Sequence, residues 1–228
     1  MNNLGLLLNL GVGLAVGIGV NWLADWLPYF RSTVTPPPGK AGWRRGGGVL
    51  LISILFAVYL HLSQLFLRAA SPAGTWLLWL CFALFLLILV IDLEHRRVLN
   101  IVVYPMAVIS LALLPLRPDL TFSSALLGGA VGFAIFFALF LLRPGGMGAG
   151  DVKLAGLIGL LIGFPGVLVA LVSAIILGGV AALLLLIFRR VGLRGTMAYA
   201  PYLSIGAMTA LIYGQTIVSW YLERLGVL

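Results

Sequence analysis

Acidic side chains are rare in this sequence, so the few that occur are the first candidates for chemistry. The 228 residues include six, namely Asp25, Asp92, Glu94, Asp119, Asp151 and Glu223. Asp92 ends a long apolar run, and Asp151 follows the glycine-rich stretch 145–150 and precedes another apolar run. Two carboxylates that share one proton can hydrolyse a peptide bond, because one activates water while the protonated one polarises the carbonyl. Asp92 and Asp151 are therefore a candidate catalytic pair.

Each of these two aspartates also has a simpler interpretation. Asp92 can be the first polar residue after a membrane span, although a carboxylate at a helix C-terminus faces the negative end of the helix dipole. Asp151 can be a helix N-cap, a position at which Asp is favoured. Against that, Gly148 and Gly150 provide backbone without side-chain bulk, which can admit an extended peptide strand beside the carboxylate. Local sequence alone leaves both interpretations open.

The composition shows which elements must position these residues. Hydrophobic residues make up 62% of the chain and charged residues 9%, with a mean hydropathy of +1.18. Soluble domains contain roughly 45–50% apolar and about 25% charged residues. These values exclude a soluble enzyme, a disordered protein and a disulfide scaffold. They predict an all-α, polytopic integral membrane helical bundle.

A helix needs roughly 20 apolar residues to cross the hydrocarbon core of a bilayer. That length predicts eight transmembrane helices, at about 4–27, 48–67, 75–91, 99–115, 122–142, 152–164, 167–188 and 199–222. The sixth is short, so seven spans with one re-entrant segment is the alternative. Glycines such as Gly128, Gly129, Gly156 and Gly159 are expected to let these helices pack closely, since small residues allow helix backbones to approach.

The distribution of basic residues orients the predicted bundle. With eight spans and the N-terminus outside, the inside loops hold 11 Lys and Arg residues and the outside holds 3. This asymmetry agrees with the positive-inside rule. The net charge of +8 is therefore interpreted as a topology signal, and no nucleic-acid partner is expected. In this orientation Asp92, at the end of span three, and Asp151, at the start of span six, both lie at the cytoplasmic face.

Four segments of the chain resemble the type IV prepilin peptidases, which are aspartic proteases of the G-x-G-D class. Residues 148–154, Gly-Ala-Gly-Asp-Val-Lys-Leu, match the second catalytic motif of that family, including its lysine. Residues 91–100 resemble the first motif, with Leu99 where the family usually has proline. Residues 200–207 are similar to a Pro-[Phe/Tyr]-Leu-x-x-Gly-Ala segment in the last span, and residues 17–28 are a looser match to the end of span one.

The resemblance implies a membrane aspartic endopeptidase that removes the basic leader from prepilins or pseudopilins at the cytoplasmic face of the inner membrane. It implies Asp92 and Asp151 as the catalytic residues and requires no cofactor for proteolysis. The expected partners are the precursor substrates and the lipid bilayer. The sequence gives no indication of the oligomeric state. The residues expected in the active-site loop or in substrate binding are Gly148, Gly150, Lys153, Glu94 and Pro201.

The chain departs from many bacterial members of that family in one loop. Residues 1–228 are interpreted as a single membrane-embedded domain in which 28–48 is a short cytoplasmic loop without cysteine. The only cysteine in the sequence is Cys81, so the four-cysteine zinc insert is missing and no metal site is expected. N-methylation of the new N-terminus thereby loses one supporting feature, and S-adenosylmethionine is expected only if that activity is retained.

Two other functions are weighed against the peptidase. A small proton- or cation-coupled transporter can use two aspartates, but transport sites usually lie near the membrane midplane and these residues lie at span ends. An inactive assembly factor is disfavoured because both aspartates are present.

Two residues near the aspartates are assigned minor roles. His95 is expected to be a solvated loop histidine. Lys153 lies roughly 200° around a helix from Asp151, and its side chain is expected to face lipid headgroups or a neighbouring carboxylate.

Overall fold

The computed structural model describes residues 3–29, 47–67, 72–117, 120–142, 146–188, 199–224 and 226. The greater part of the predicted cytoplasmic loop, residues 30–46, lies outside the described residues, as does Asp119.

The described residues form eight α-helices, each of which corresponds to one predicted span. In chain order they are α1 Asn3–Trp26, α2 Gly48–Leu67, α3 Pro72–His95, α4 Asn100–Ala112, α5 Phe122–Leu142, α6 Ala149–Ile162, α7 Gly166–Ile187 and α8 Ala200–Arg224. Short 3₁₀ turns follow α1 and α4, at Leu27–Tyr29 and Leu114–Leu116. The predicted all-α helical fold is confirmed.

Four of the described helices are long and apolar enough to cross a membrane. The spans are Gly5–Tyr29, Trp76–His95, Phe122–Leu142 and Gly166–Leu184. By contrast, α4 and α6 have 13 and 14 residues. At 1.5 Å per residue each is roughly 20 Å long, which is less than the hydrocarbon thickness of about 30 Å. The helices support the membrane protein class, whereas the placement of the N-terminus outside remains a prediction.

The chain divides into two compact units, Met1–His95 and Arg96–Leu228. In the first unit, α1 packs against both α2 and α3. Aromatic rings join α2 to α3, because Phe56 stacks on Phe82 with ring centroids 3.8 Å apart and meets Trp79 edge-on at 5.1 Å. The unit boundary falls three residues after Asp92, within the first motif. A single domain over 1–228 remains a prediction.

In the second unit, two pairs of helices approach each other closely at residues without bulky side chains. A Cβ atom added to Gly159 of α6 would lie 2.0 Å from the carbonyl oxygen of Gly128 in α5, and one added to Gly132 would lie 2.4 Å from that of Ala155. Glycine is therefore required where α5 crosses α6. The pair α7 and α8 is similarly close, since a Cβ atom at Gly206 would lie 2.3 Å from the Ala170 carbonyl oxygen. Close packing at these glycines agrees with the sequence expectation.

Candidate active site

Asp151 lies in the first turn of α6. Gly148, with extended backbone angles of φ −80° and ψ 144°, is the N-cap, so Asp151 occupies the third helical position and is not the N-cap. The side chain bends back over the turn, and its Oδ2 accepts a hydrogen bond from the Gly148 N–H at 3.2 Å. Asp151 is 6% exposed. The carboxylate is thus held at the positive end of the helix, where negative charge is favoured.

The opposite end of α6 is occupied by a positive charge. The guanidinium of Arg117 donates a hydrogen bond to the carbonyl oxygen of Leu161, in the last turn of the helix. Cations are favoured at a helix C-terminus, and the last carbonyls lack partners inside the helix. Asp151 and Arg117 therefore both complement the dipole of this short helix.

The two glycines of the motif have different surroundings. A Cβ atom on Gly148 would meet nothing closer than Asp151 Oδ2 at 3.6 Å, an ordinary contact. A Cβ atom on Gly150 would lie 2.8 Å from the Cβ of Val98. The space beside Gly150, which the sequence suggested could receive a peptide strand, is filled by this chain's own residue 98. Only Gly148 retains an open side.

Among the described residues Lys153 is not paired with a carboxylate, which was one of the two alternatives that the sequence suggested. Its Nζ donates a hydrogen bond to Oδ1 of Asn100 at 3.1 Å and lies 5.4 Å from the centroid of the Tyr104 ring. Both partners are neutral and belong to α4. The reason is that the first turns of α4 and α6 pack together, which brings the amide and the ring within reach of the lysine.

Asp92 lies in the last turn of α3, three residues before its end at His95. The side chain is 4% exposed, and the preceding Val90 and Ile91 are buried as well. Arg96 then takes a positive φ of 52°, which ends the helix in a left-handed conformation. Residues 96–99 are not helical, and α4 starts at Asn100. Asp92 is therefore a buried carboxylate at the negative end of its helix dipole.

His95 is not the solvated loop residue that the sequence suggested. It is the last residue of α3 and is half-buried, and its Nε2 lies 3.2 Å from the hydroxyl oxygen of Tyr29. The two rings also meet edge-on, with centroids 5.6 Å apart. The contact links the turn after α1 to the end of the helix that bears Asp92. Glu94, one residue earlier, is half-buried in the same turn.

Pro201 lies at the second position of α8 and is buried, together with Ala200 and Leu203. Proline is tolerated in a first helical turn because its missing N–H needs no partner there. Just before the helix, Tyr199 donates a hydrogen bond to the Ala174 carbonyl oxygen at 3.2 Å. Its hydroxyl also interacts electrostatically with the Asp151 carboxylate. Sequence reasoning missed this tyrosine, since nothing local distinguishes it from other aromatic residues at span ends.

The predicted site residues divide between the two compact units. Asp92 and Glu94 belong to the first unit, and Gly148, Gly150, Asp151, Lys153 and Pro201 belong to the second. Within the second unit, the first turn of α6 contacts α4, and α6 also contacts α8. These contacts bring the glycine motif, Lys153 and the segment around Val98 and Asn100 together.

Comparison with known proteins agrees with the motif resemblance. Residues 78–183, a little under half of the chain, match the model of the Type IV leader peptidase family. The matched segment includes both Asp92 and Asp151. Curated relatives named prepilin leader peptidase/N-methyltransferase include one from Bacillus subtilis, 29% identical over 100 residues, which are 44% of this chain and 40% of that protein. The relative from Pseudomonas aeruginosa is 28% identical over 141 residues, 60% of this chain and 49% of that protein.

These alignments span less than half the length of the relatives they match. No solved structure matches the chain. The resemblance to prepilin peptidases is confirmed, and the transporter alternative gains no support from these relatives.

Proposed function

We propose that this chain is a membrane endopeptidase that removes the basic leader from prepilin-like precursors. The observation that carries the proposal is the pair of buried carboxylates inside the family match, Asp92 with 4% and Asp151 with 6% exposure. Buried acids in a membrane protein are costly, so they are functional candidates by default. The names of the relatives supply the substrate class, a prepilin with its leader.

The proposed mechanism is that of an aspartic protease. One ionised carboxylate takes a proton from water, and the resulting hydroxide attacks the scissile carbonyl carbon. The other, protonated carboxyl donates a hydrogen bond to the carbonyl oxygen as negative charge develops there. When the C–N bond breaks, the leaving nitrogen accepts the proton that the first carboxylate took from water. The protons belong to the pair of Asp92 and Asp151 as a unit.

Cleavage is proposed at the cytoplasmic membrane face. Its support is the distribution of basic residues, 11 on the predicted inside loops against 3 outside, which orients the ends that bear the two aspartates. Although the relatives are also named N-methyltransferases, the single cysteine of this sequence excludes a four-cysteine insert within it. No methyl-transfer step is proposed.

Asp92→Asn and Asp151→Asn test the function directly. Each variant is co-expressed with a prepilin, and processing is followed by gel shift and by mass analysis of the new N-terminus. We expect each variant to lose cleavage by at least three orders of magnitude, because a neutral amide can neither accept the water proton nor share it. The matched control is Glu223→Gln, which neutralises an exposed acid at the end of α8 and should process normally. Full processing by either aspartate variant, once membrane insertion is verified, would disprove the proposal.

A further inference from the structure

Lys153 is held by two groups on one face of α4. Asn100 and Tyr104 are four residues apart and therefore lie on the same side of that helix, one turn from each other. The lysine Nζ reaches both, with a hydrogen bond of 3.1 Å to the amide oxygen and 5.4 Å to the ring centroid. In the part of the chain that the structure describes, these neutral groups are the partners of the charge, and no carboxylate is paired with it.

A second contact lies beside the first. Gly150 precedes Lys153 by three residues and so shares its face of α6. It packs directly on Val98, leaving no space for a Cβ atom. Two residues of α6 thus contact two residues of the segment 98–100, and Asp151 lies between Gly150 and Lys153 in the chain.

The contact between Asn100 and Lys153 joins a residue of the motif that contains Asp92 to a residue of the motif that contains Asp151. Asn100 closes the motif that contains Asp92, eight residues upstream. A contact that fixes residues 98–100 on α6 therefore limits the positions that the connection from Asp92 can reach. The lysine, two residues beyond Asp151, points away from that carboxylate because successive helical residues turn by 100°.

We propose that Lys153 is a positioning residue, which acts with Asn100 and Tyr104 to hold the segment after the first aspartate on the helix that bears the second. The proposal rests on the proposed peptidase function and adds a role that the motif alone does not assign. Lys153 then contributes to the geometry of the catalytic pair and neither binds the leader nor neutralises a carboxylate.

Three variants test the proposal in the full-length chain with a prepilin substrate: Asn100→Ala, Lys153→Met and their combination. We expect each single variant to lower kcat by about tenfold with KM unchanged, since small misplacements of reacting groups cost about that much or more. The double variant should be no slower than the slower single variant, because both substitutions break one contact. The control is Arg224→Met, which removes a cation 5.6 Å from the Trp220 ring at the end of α8 and should leave cleavage unchanged.

Different kinetic outcomes would overturn the proposal. A raised KM with unchanged kcat would assign Lys153 to substrate binding. Losses that multiply in the double variant would show that the two residues act independently. A lower unfolding temperature with unchanged kcat of the folded enzyme would leave only a structural role.

Amide hydrogen exchange tests the contact without relying on cleavage. In the first turn of α4 the N–H groups of Val102 and Val103 bond to the Leu99 carbonyl oxygen, at 3.0 and 3.2 Å. Lys153→Met should speed exchange in residues 98–104, whereas Arg224→Met should not. Unchanged exchange would overturn the positioning role. If the wild-type chain fails to cleave prepilin while this exchange effect is present, the proposed function fails and the contact stands.

Discussion

The two helices that bear the candidate aspartates differ in their packing and in which end of the helix dipole lies next to the aspartate. Helix α3 buries large side chains, among them Trp79, Phe82 and Phe85, and presents Asp92 in its last turn. Helix α6 also buries leucine and isoleucine side chains, but where it crosses α5 its glycine and alanine residues lie directly against the α5 backbone, and it presents Asp151 in its first turn. The dipole favours a negative charge at the start of α6 and opposes one at the end of α3. Both carboxylates are buried, but the helix dipole stabilises the charge of Asp151 and opposes that of Asp92.

The largest expected change in the free energy of unfolding comes from the buried aromatic side chains of α3. Phe82→Ala removes a ring that is 4% exposed and stacks on Phe56 at 3.8 Å. We expect the free energy of unfolding to fall by about 3–5 kcal/mol, the usual result when a buried aromatic residue leaves a cavity. Denaturant titration of the purified protein in detergent measures this change.

Leu80→Ala is the matched control, because Leu80 belongs to the same helix but is 41% exposed. Its effect should be small, since no enclosed cavity is created. Equal losses for the two variants would contradict the description of α3 as a helix packed by its aromatic side chains.

The helices themselves could be predicted because their cause is local. Each of the eight helices forms from an apolar run that is long and contains few charged residues. The described boundaries of α2 and α5 coincide with the predicted ones. The two short helices are different. Nothing in the runs around Asn100 and Asp151 indicates that α4 and α6 pack against each other, since that contact joins residues as far apart as Asn100 and Lys153, which are 53 positions from each other.

A second, smaller effect is expected for the glycine packing of α6. Gly159→Ala would place a Cβ atom 2.0 Å from the Gly128 carbonyl oxygen, so the backbones of α5 and α6 must move apart. We expect a loss of about 2–3 kcal/mol in the free energy of unfolding, the upper part of the range for overpacking.

Gly179→Ala is the comparison for this variant. Gly179 belongs to α7, and a Cβ atom there would meet nothing within 4 Å. Alanine has the higher helix propensity, so this substitution should be neutral or stabilising by up to about 1 kcal/mol. If both glycine substitutions had the same effect, close backbone contact would not explain the glycine at position 159.

The site could be predicted only in part from the sequence. Asp92 and Asp151 were identifiable because acids are so few and because their motifs are specific. The solvated loop position expected for His95 was wrong, and the neutral partners of Lys153 were not foreseen, since Asn100, Tyr104 and Tyr29 approach these side chains only after folding. Tyr199 was missed for the same reason. Local patterns therefore indicate the candidate catalytic residues, whereas the side chains that surround these candidates follow from helix packing.

The smallest expected change in the free energy of unfolding concerns the helix dipole next to each aspartate. Asp151→Asn keeps the acceptor oxygen that bonds the Gly148 N–H and removes the negative charge that the helix dipole favours. We expect the free energy of unfolding to fall by about 0.3–1 kcal/mol. Asp92→Asn removes a carboxylate from the unfavourable helix end and should not lower it. Parallel denaturant titrations of both variants measure the difference. A greater loss for Asp92→Asn than for Asp151→Asn would mean that contacts around Asp92 outweigh the dipole, and the contrast between the two helix ends would then not govern the stability of their charges.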